Sequence, residues 1–599
     1  MTTDLMLAET APEEEAPSTP AAPVTGRSPR RAAAAALAVY ALLAVALFAG
    51  AWRSPTRTSV GGTLDPPLHM WFLRWTPWAL SHGHLPFFTH HLNFPVGVNL
   101  LWNTFLPLPA IVLWPVTVSL GPIAALNTFV TLNVALSAWS AYLLVRSLVT
   151  SRAAAFVAGL VYGFGPYMAA HSAEHSNLTA AFVPPLLFLA LAEILVRQRR
   201  SARRSGVALG LLLLCQLLIT EELLATEAIA GVVGVAVLIV LHRREVAARA
   251  RHALRSLGWS AGVFLPLAAP LLLYQFFGPR PVHGVIQPPN VFVSDLANFV
   301  SPTGFQAVGP GGPWSVRHWT GNPLEHTAYL GVPLLALLIY AAAKLWARPL
   351  VRFCTILGAS LAVLSLGAHL HVGGRDTHIP LPWGWFERLP VVANILPARL
   401  TLYVDLLVAV LLAVFVDHLL GRRPRGRRVP GLIAVAAVVL SLAPVVPYPT
   451  ARIDLPRFFT GEGVRRIREG SVVLVAPWQQ LYPSAPMLWQ AASGMRYRMA
   501  QGYFIAPGRD GKPMYGATFS RLSFTMLRIQ GGNEVEMTDA VRADIQRDLR
   551  AIDVSSIVVG PMDHQDKMLQ FFASLLGRDP EPVDGVYVWW NVGAEPSRP

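Results

Sequence analysis

The residues best suited to chemistry lie in one stretch, Gly61-Gly62-Thr63-Leu64-Asp65-Pro66-Pro67-Leu68-His69-Met70-Trp71-Phe72-Leu73-Arg74-Trp75. Asp65 follows the first long apolar run by about 13 residues, which sets a carboxylate close to a membrane surface. Beyond it, Leu68, Trp71, Phe72 and Trp75 recur at i, i+3, i+4 and i+7, the spacing of one helix face, and predict a helix lying in the membrane interface. A carboxylate held there beside tryptophans can meet a lipid-linked substrate whose head group sits at the same depth. Asp before Pro is also a good helix start, so a capping role stands beside the catalytic one. His69 and Arg74, on the same stretch, are read as substrate contacts.

An arginine presents a planar fork of donors that fits a phosphate. Arg74, Arg317, Arg375, Arg388 and Arg399 are the arginines expected outside the membrane. Arg399, in Leu396-Pro397-Ala398-Arg399-Leu400, opens an apolar run and is taken as a phosphate contact, with snorkelling to lipid head groups the alternative. Arg375 is a second substrate-binding candidate. Glu221, Glu222 and Glu227 lie at a turn between two apolar runs, Glu227 inside the second. An ionisable group at membrane depth points to function, and Glu227 is added to the substrate contacts. His171, Glu174 and His175 share a turn at i, i+3 and i+4. A zinc site there would need a third ligand and a protecting shell, so the turn is read as solvated and interfacial. The pairs His82/His84, His90/His91 and His369/His371 are read likewise, and no metal or cofactor is expected. Trp478, Trp489, Tyr497, Tyr503 and Phe504 could stack on a sugar or fill a core.

These side chains must be positioned by apolar elements. Hydrophobic residues make up 53% of the 599, charged residues only 14%, and the mean hydropathy is +0.45. The charges cluster in short runs between apolar stretches long enough to cross about 30 Å of hydrocarbon. The net charge of +14 belongs to loops that set membrane orientation and meet anionic lipid, so nucleic acid is not an expected partner. Cys215 and Cys354, the two cysteines, sit inside apolar stretches and read as buried hydrophobes. Heavy use of Ala, Arg, Pro and Leu with few Lys points to a GC-rich genome of actinobacterial type.

The expected fold class is an α-helical polytopic membrane protein of about eleven transmembrane helices with a C-terminal extracytoplasmic α/β domain. Residues 1–31 are a disordered, cytoplasmic N-terminal tail. Residues 32–446 form the membrane domain, with a large first external loop at 53–123. Its apolar runs lie near 32–52, 124–145, 153–170, 178–196, 205–220, 222–241, 257–277, 327–346, 350–368, 398–420 and 429–446. Segment 105–120 is apolar but short, and carries Pro107, Pro109 and Pro115, so it is expected to be interfacial or re-entrant. With that segment left out, the basic clusters at 146–152, 197–204, 242–255, 344–352 and 422–428 all fall on the cytoplasmic side. Residues 447–599 change character. Ser471–Pro477, Ser555–Pro561 and Gly585–Val592 predict strands, and Asp539–Ile552 and Gln565–Leu576 predict helices.

One helix, a long first external loop with an early acidic residue, many spans and an outer C-terminal domain resemble the GT-C superfamily. The resembling pieces are GGTLDPPLHMWFLRW (61–75), HLNFPVGVNLLWN (91–103), GPIAALN (121–127), EHTAYLGVPLL (325–335) and NILPARLTLYVDLL (394–407). The resemblance covers roughly residues 33–420. It implies a membrane glycosyltransferase in the bacterial cytoplasmic membrane, with Asp65 as the general base. The donor would be a polyprenyl-phosphate-linked sugar, and the acceptor a cell-envelope glycan, lipid or protein. One Asp stands where some members carry a DxD or an Asp-Glu pair, which implies no divalent metal. Two other classes stay open, a transporter of lipid or glycan and a non-catalytic envelope assembly protein. Few charges lie deep in the spans, and no broken-helix pair is visible in matching halves, which weighs against transport.

Overall fold

The computed structural model describes residues 29–593, apart from 310–317, 390, 423–424 and 482–483. The N-terminal tail and Arg317 therefore lie mainly or wholly outside the described residues. Each of the eleven apolar runs is helical. Six helices among the described residues are long and apolar enough to cross a membrane, and three more apolar helices are shorter. The chain is a multi-pass membrane protein. Pro397–Gly421 is 94% buried and runs through the middle of the bundle, whereas Arg30–Leu47 is 17% buried and lies at its edge. Small residues allow that edge helix to dock: Tyr40 donates to the Phe156 carbonyl at 2.8 Å and lies over Gly159, where a Cβ would strike its hydroxyl. The long helix Glu221–Phe277 is two helices meeting at His242, whose backbone leaves the helical region (φ −139°, ψ 42°).

Segment 105–120 forms two helices, Pro107–Val112 and Trp114–Leu120. Six and seven residues rise only about 10 Å each, so neither crosses a membrane. Its prolines sit in the first turns, where a missing N–H costs nothing.

The first loop carries the helix Pro66–Ser81, with twelve of its sixteen residues buried. The structure corrects its expected interfacial position: Leu68, Trp71, Phe72 and Trp75 all face protein. The C-terminal region covers this helix, packing Ala485–Ala492 on it, and Trp71 Nε1 donates to Gln490 Oε1 at 2.6 Å. Trp71 and Trp75 stack at 5.3 Å. The tryptophans are thus the seam between two parts of the chain, and one apolar core runs through both.

In the C-terminal region, strands Glu581–Val583, Val586–Trp590, Val554–Val559 and Val472–Ala476 form a sheet in that order. The last two are parallel and the others antiparallel. Helices Asp539–Ala551 and Gln565–Leu576 bury Val541, Ile545 and Leu549, and Met568, Phe572 and Leu575, the residues spaced for one apolar face. Between the parallel strands, a hairpin of Ile505–Pro507 and Pro513–Tyr515 reaches back toward the membrane helices.

Candidate functional site

Asp65 owes its position to a backbone crossing. Strand Thr58–Val60 pairs with Thr450–Arg452 and is pinned from below by Asn127, which accepts from Val60 N and donates to the Pro55 and Thr58 carbonyls. Gly61 and Gly62 then pass against residues 173–174. Gly61 has φ +78°, and a Cβ on it would lie 1.8 Å from the Ala173 carbonyl oxygen, so only glycine fits. Glu174 Oε2 accepts from Leu64 N (3.1 Å) and Asp65 N (3.0 Å), and Ser484 of the C-terminal region donates to the Thr63 and Leu64 carbonyls.

Asp65 occupies the N-cap position of Pro66–Ser81, yet its side chain makes no capping hydrogen bond. Pro66 and Pro67 have no N–H to offer, so the two prolines that start the helix also remove donors a capping carboxylate uses. The carboxylate turns instead to a cavity of about 580 Å³, with Oδ2 3.5 Å from His175 Nε2.

His175 links Asp65 to a buried chain of charges. Its Nδ1 lies 3.4 Å from Glu325 Oε1 and 3.1 Å from His171 Nδ1. Glu325 takes a two-point contact from Arg399, at 2.8 Å from Nη2 and 3.3 Å from Nε. Arg399 Nη1 binds Glu222, whose side chain is half exposed to the cavity. Burial raises the Glu325 carboxyl, but Arg399, with His171 and His175, outweighs it and holds the group below the usual carboxylate range. Burial pushes Glu174 up to about 8, with the Asp65 charge adding to the rise and the Asp65 and Leu64 N–H groups acting the other way. His69 lines the cavity as a neutral ring: burial and then His175 depress it to about 3, partly offset by Asn177.

The fold brings Asp65, His69 and Arg399 to this cavity and leaves the other candidates elsewhere. Arg74 points at Gly494 of the C-terminal region, and its Nε is buried without a hydrogen-bond partner. Arg375 is exposed on strand Arg375–Pro380. Glu227 is buried inside the bundle, with neither oxygen hydrogen-bonded among the described residues. Sequence alone sets His175 and Glu174 aside as a solvated turn and does not single out Glu325. The turn holding His171, Glu174 and His175, expected to be solvated, is enclosed, with His171 and Glu174 fully buried. Glu325 is a lone acid heading an apolar run, a placement that marks a paired charge. Of the five aromatics considered for stacking, Tyr503 and Phe504 line the cavity, while Trp478, Trp489 and Tyr497 fill the core. Asn103 ties the Tyr503 segment to the first loop, accepting from Ile505 N and donating to its carbonyl.

Two imidazoles and a carboxylate, His171, His175 and Glu325, offer ligand atoms within 4.8 Å of one another. That donor set suits a divalent transition metal. A carboxylate, a buried arginine and mostly apolar walls thus face one cavity.

The fold is similar to that of a solved mycobacterial arabinofuranosyltransferase. The structure superposes on arabinofuranosyltransferase AftD from Mycobacteria with a TM-score of 0.55 and 15% identity over 94% of this chain. The match covers 40% of that chain, so this protein spans well under half of its length. A second match is the Archaeoglobus fulgidus oligosaccharyltransferase AglB, in complex with an inhibitory peptide and a dolichol-phosphate. Its TM-score is 0.43 and its identity 13%, over 91% of this chain and 71% of that one. No curated protein sequence matches. The chain belongs to the DUF6311 family, a domain of unknown function whose model matches residues 32–393.

Proposed function

We propose that the protein is a GT-C-type glycosyltransferase that moves a sugar from a polyprenyl-phosphate donor to an envelope glycan, lipid or protein acceptor. The reaction takes place on the outer face of the cytoplasmic membrane. The observation that carries this reading is the Asp65 carboxylate, which makes no capping hydrogen bond and lines a cavity together with Arg399. Asp65 takes the proton of the acceptor hydroxyl, whose oxygen forms a bond to the sugar C1 as the bond from C1 to the phosphate oxygen breaks. The polyprenyl phosphate leaves with the bonding electrons. Arg399 meets it through Nη1, where the half-exposed Glu222 carboxylate gives way to a phosphate oxygen. Glu325 holds the guanidinium flat for that contact, and His175 holds Asp65 in line. Tyr503 and Phe504 roof the sugar.

The layout of the cavity supports the outer-face assignment. Its walls come from the first loop, the 173–182 turn, Glu221–Glu222, residues 282–287, residues 391–399 and the C-terminal region. Between each consecutive pair of these segments lie two apolar helices, so an even number of crossings returns the chain to one side every time. The test is sugar transfer by membranes carrying Asp65→Asn, from radiolabelled polyprenyl-phosphate sugars to envelope extract. Turnover at the wild-type rate in that variant overturns the reading.

A further inference from the structure

A second group of metal-ligand side chains lies away from the cavity, on the hairpin His369–Val372 and Arg375–Pro380. Its sequence, His369-Leu370-His371-Val372-Gly373-Gly374-Arg375-Asp376-Thr377-His378, sets a ligand at every second residue on each strand. Alternate strand residues share a face, and His371 lies directly opposite Asp376 in the register. All three imidazoles thereby converge on one carboxylate, that of Asp376. Asp376 Oδ2 lies 3.4 Å from His369 Nδ1 and 3.6 Å from His371 Nε2, and Oδ1 lies 3.4 Å from His378 Nδ1.

An ion pair does not account for this gathering. One carboxylate pairs with one imidazolium, not three, yet three rings face Asp376. A tetrahedral zinc ion does account for it: ligand atoms at 2.0–2.1 Å from the ion lie about 3.3 Å from each other. The ligand atoms of His369, Asp376 and His378 fall within 4.8 Å of one another.

The surroundings are built to hold the rings. His371 is 3% exposed, and its Nδ1 is buried with no hydrogen-bond partner among the described residues. Asn290 Oδ1 accepts from Ala368 N and His369 N, which turns its amide nitrogen to His371 Nε2 at 3.2 Å. Asp295 accepts from Gly373 N (2.9 Å) and Gly374 N (2.7 Å) and fixes the turn. Such outer contacts orient ligands before a metal arrives.

We propose that this hairpin is a zinc-class transition-metal site formed by His369, Asp376 and His378, with His371 as the fourth ligand once Asn290 releases it. The site is independent of the glycosyltransferase reading. Its position gives it a consequence, since the chain runs from the hairpin through 383–386 to 391–399, which walls the cavity. Metal binding would staple the outer end of that wall.

The test uses full-length protein in detergent, stripped of metal and titrated with zinc against a chelating dye. The variant His175→Ala removes the cluster at the cavity and is the background throughout. It should still bind one zinc, and adding Asp376→Asn with His378→Ala should weaken that binding about 100-fold or more. Cobalt in the His175→Ala protein should give the intense visible bands of a tetrahedral ion, and zinc should slow tryptic cutting after Arg375 and Arg388. The cobalt spectrum tests the site even if the hairpin variants misfold. No zinc bound by His175→Ala, zinc binding unchanged by the hairpin variants, or an octahedral cobalt spectrum would each overturn the proposal.

Discussion

At the scale of single residues, Asp65 and Arg399 make opposite predictions about stability. Asp65→Asn preserves shape but cannot take a proton, so turnover should fall by about 10²–10⁴-fold. Because the Asp65 side chain caps nothing, the melting temperature should stay at the wild-type value, a result a capping residue would not give. Arg399 is buried between two carboxylates, and Glu325 has no water to fall back on. Arg399→Lys loses the two-point contact and should lower both donor use and stability. Arg399→Ala strands a buried carboxylate and should cost about 3–5 kcal/mol, read by thermal unfolding in detergent. Adding Glu325→Gln to Arg399→Ala should restore part of that loss if the stranded charge is its cause. The sequence made Asp65 legible through type and distance from the first helix, whereas the absence of a capping hydrogen bond shows only in the structure. It could not show His175 or Glu325, because they meet Asp65 only when three loops distant in sequence close on each other.

Elements set how tightly those residues are held. Gly61→Ala puts a methyl into the Ala173 carbonyl and demands a left-handed backbone from alanine. It should cost about 1–3 kcal/mol and cut turnover through Asp65, with KM rising as the loop shifts. Activity and melting unchanged in Gly61→Ala would mean that the crossing with residues 173–174 does not position the carboxylate. The seam between first loop and C-terminal region has its own pH dependence. His91 is buried there, its Nε2 3.1 Å from the Met495 carbonyl, with its own carbonyl accepting from Gln490. Burial, then the charge of Arg498, depresses it to about 4, with the Met495 bond acting the other way. The unfolded ring binds a proton from about pH 6.5 downward and the folded ring only near 4, so its contribution is full above 6.5 and is lost as pH falls between these values. The amount is about 3 kcal/mol, and His91→Gln should flatten the fall in melting temperature over that window. The period-3.6 pattern of Pro66–Ser81 was legible, but what it faces was not. An apolar stripe reads the same against lipid as against Ala485–Ala492, and only the partner 400 residues away decides.

For the whole molecule, the arrangement of the helices was the most legible feature, since the length of an apolar run is imposed by the bilayer and survives any packing detail. The C-terminal strands were legible as runs of Val and Ile, but their order in the sheet rests on long-range pairing that no local pattern carries. The count of crossings is where sequence and structure bear on one another. Segment 105–120 is nearly as hydrophobic as a span, and if it crossed, Asp65 and Glu222 would face opposite sides of the membrane. They line one cavity, and the segment is two helices of about 10 Å each. With it left out, the helices fall in pairs after the first, and the five basic clusters at 146–152, 197–204, 242–255, 344–352 and 422–428 each lie between the two members of a pair. A reporter enzyme that folds only outside the cytoplasm should therefore be inactive when fused after Arg204 or Arg428. Fused after Ser301 or at the C-terminus, it should be active. Activity after Arg428 would place an odd number of crossings between Asp65 and the C-terminal region, separating Tyr503 from the carboxylate it is proposed to serve, and the outer-face reaction would have to be abandoned.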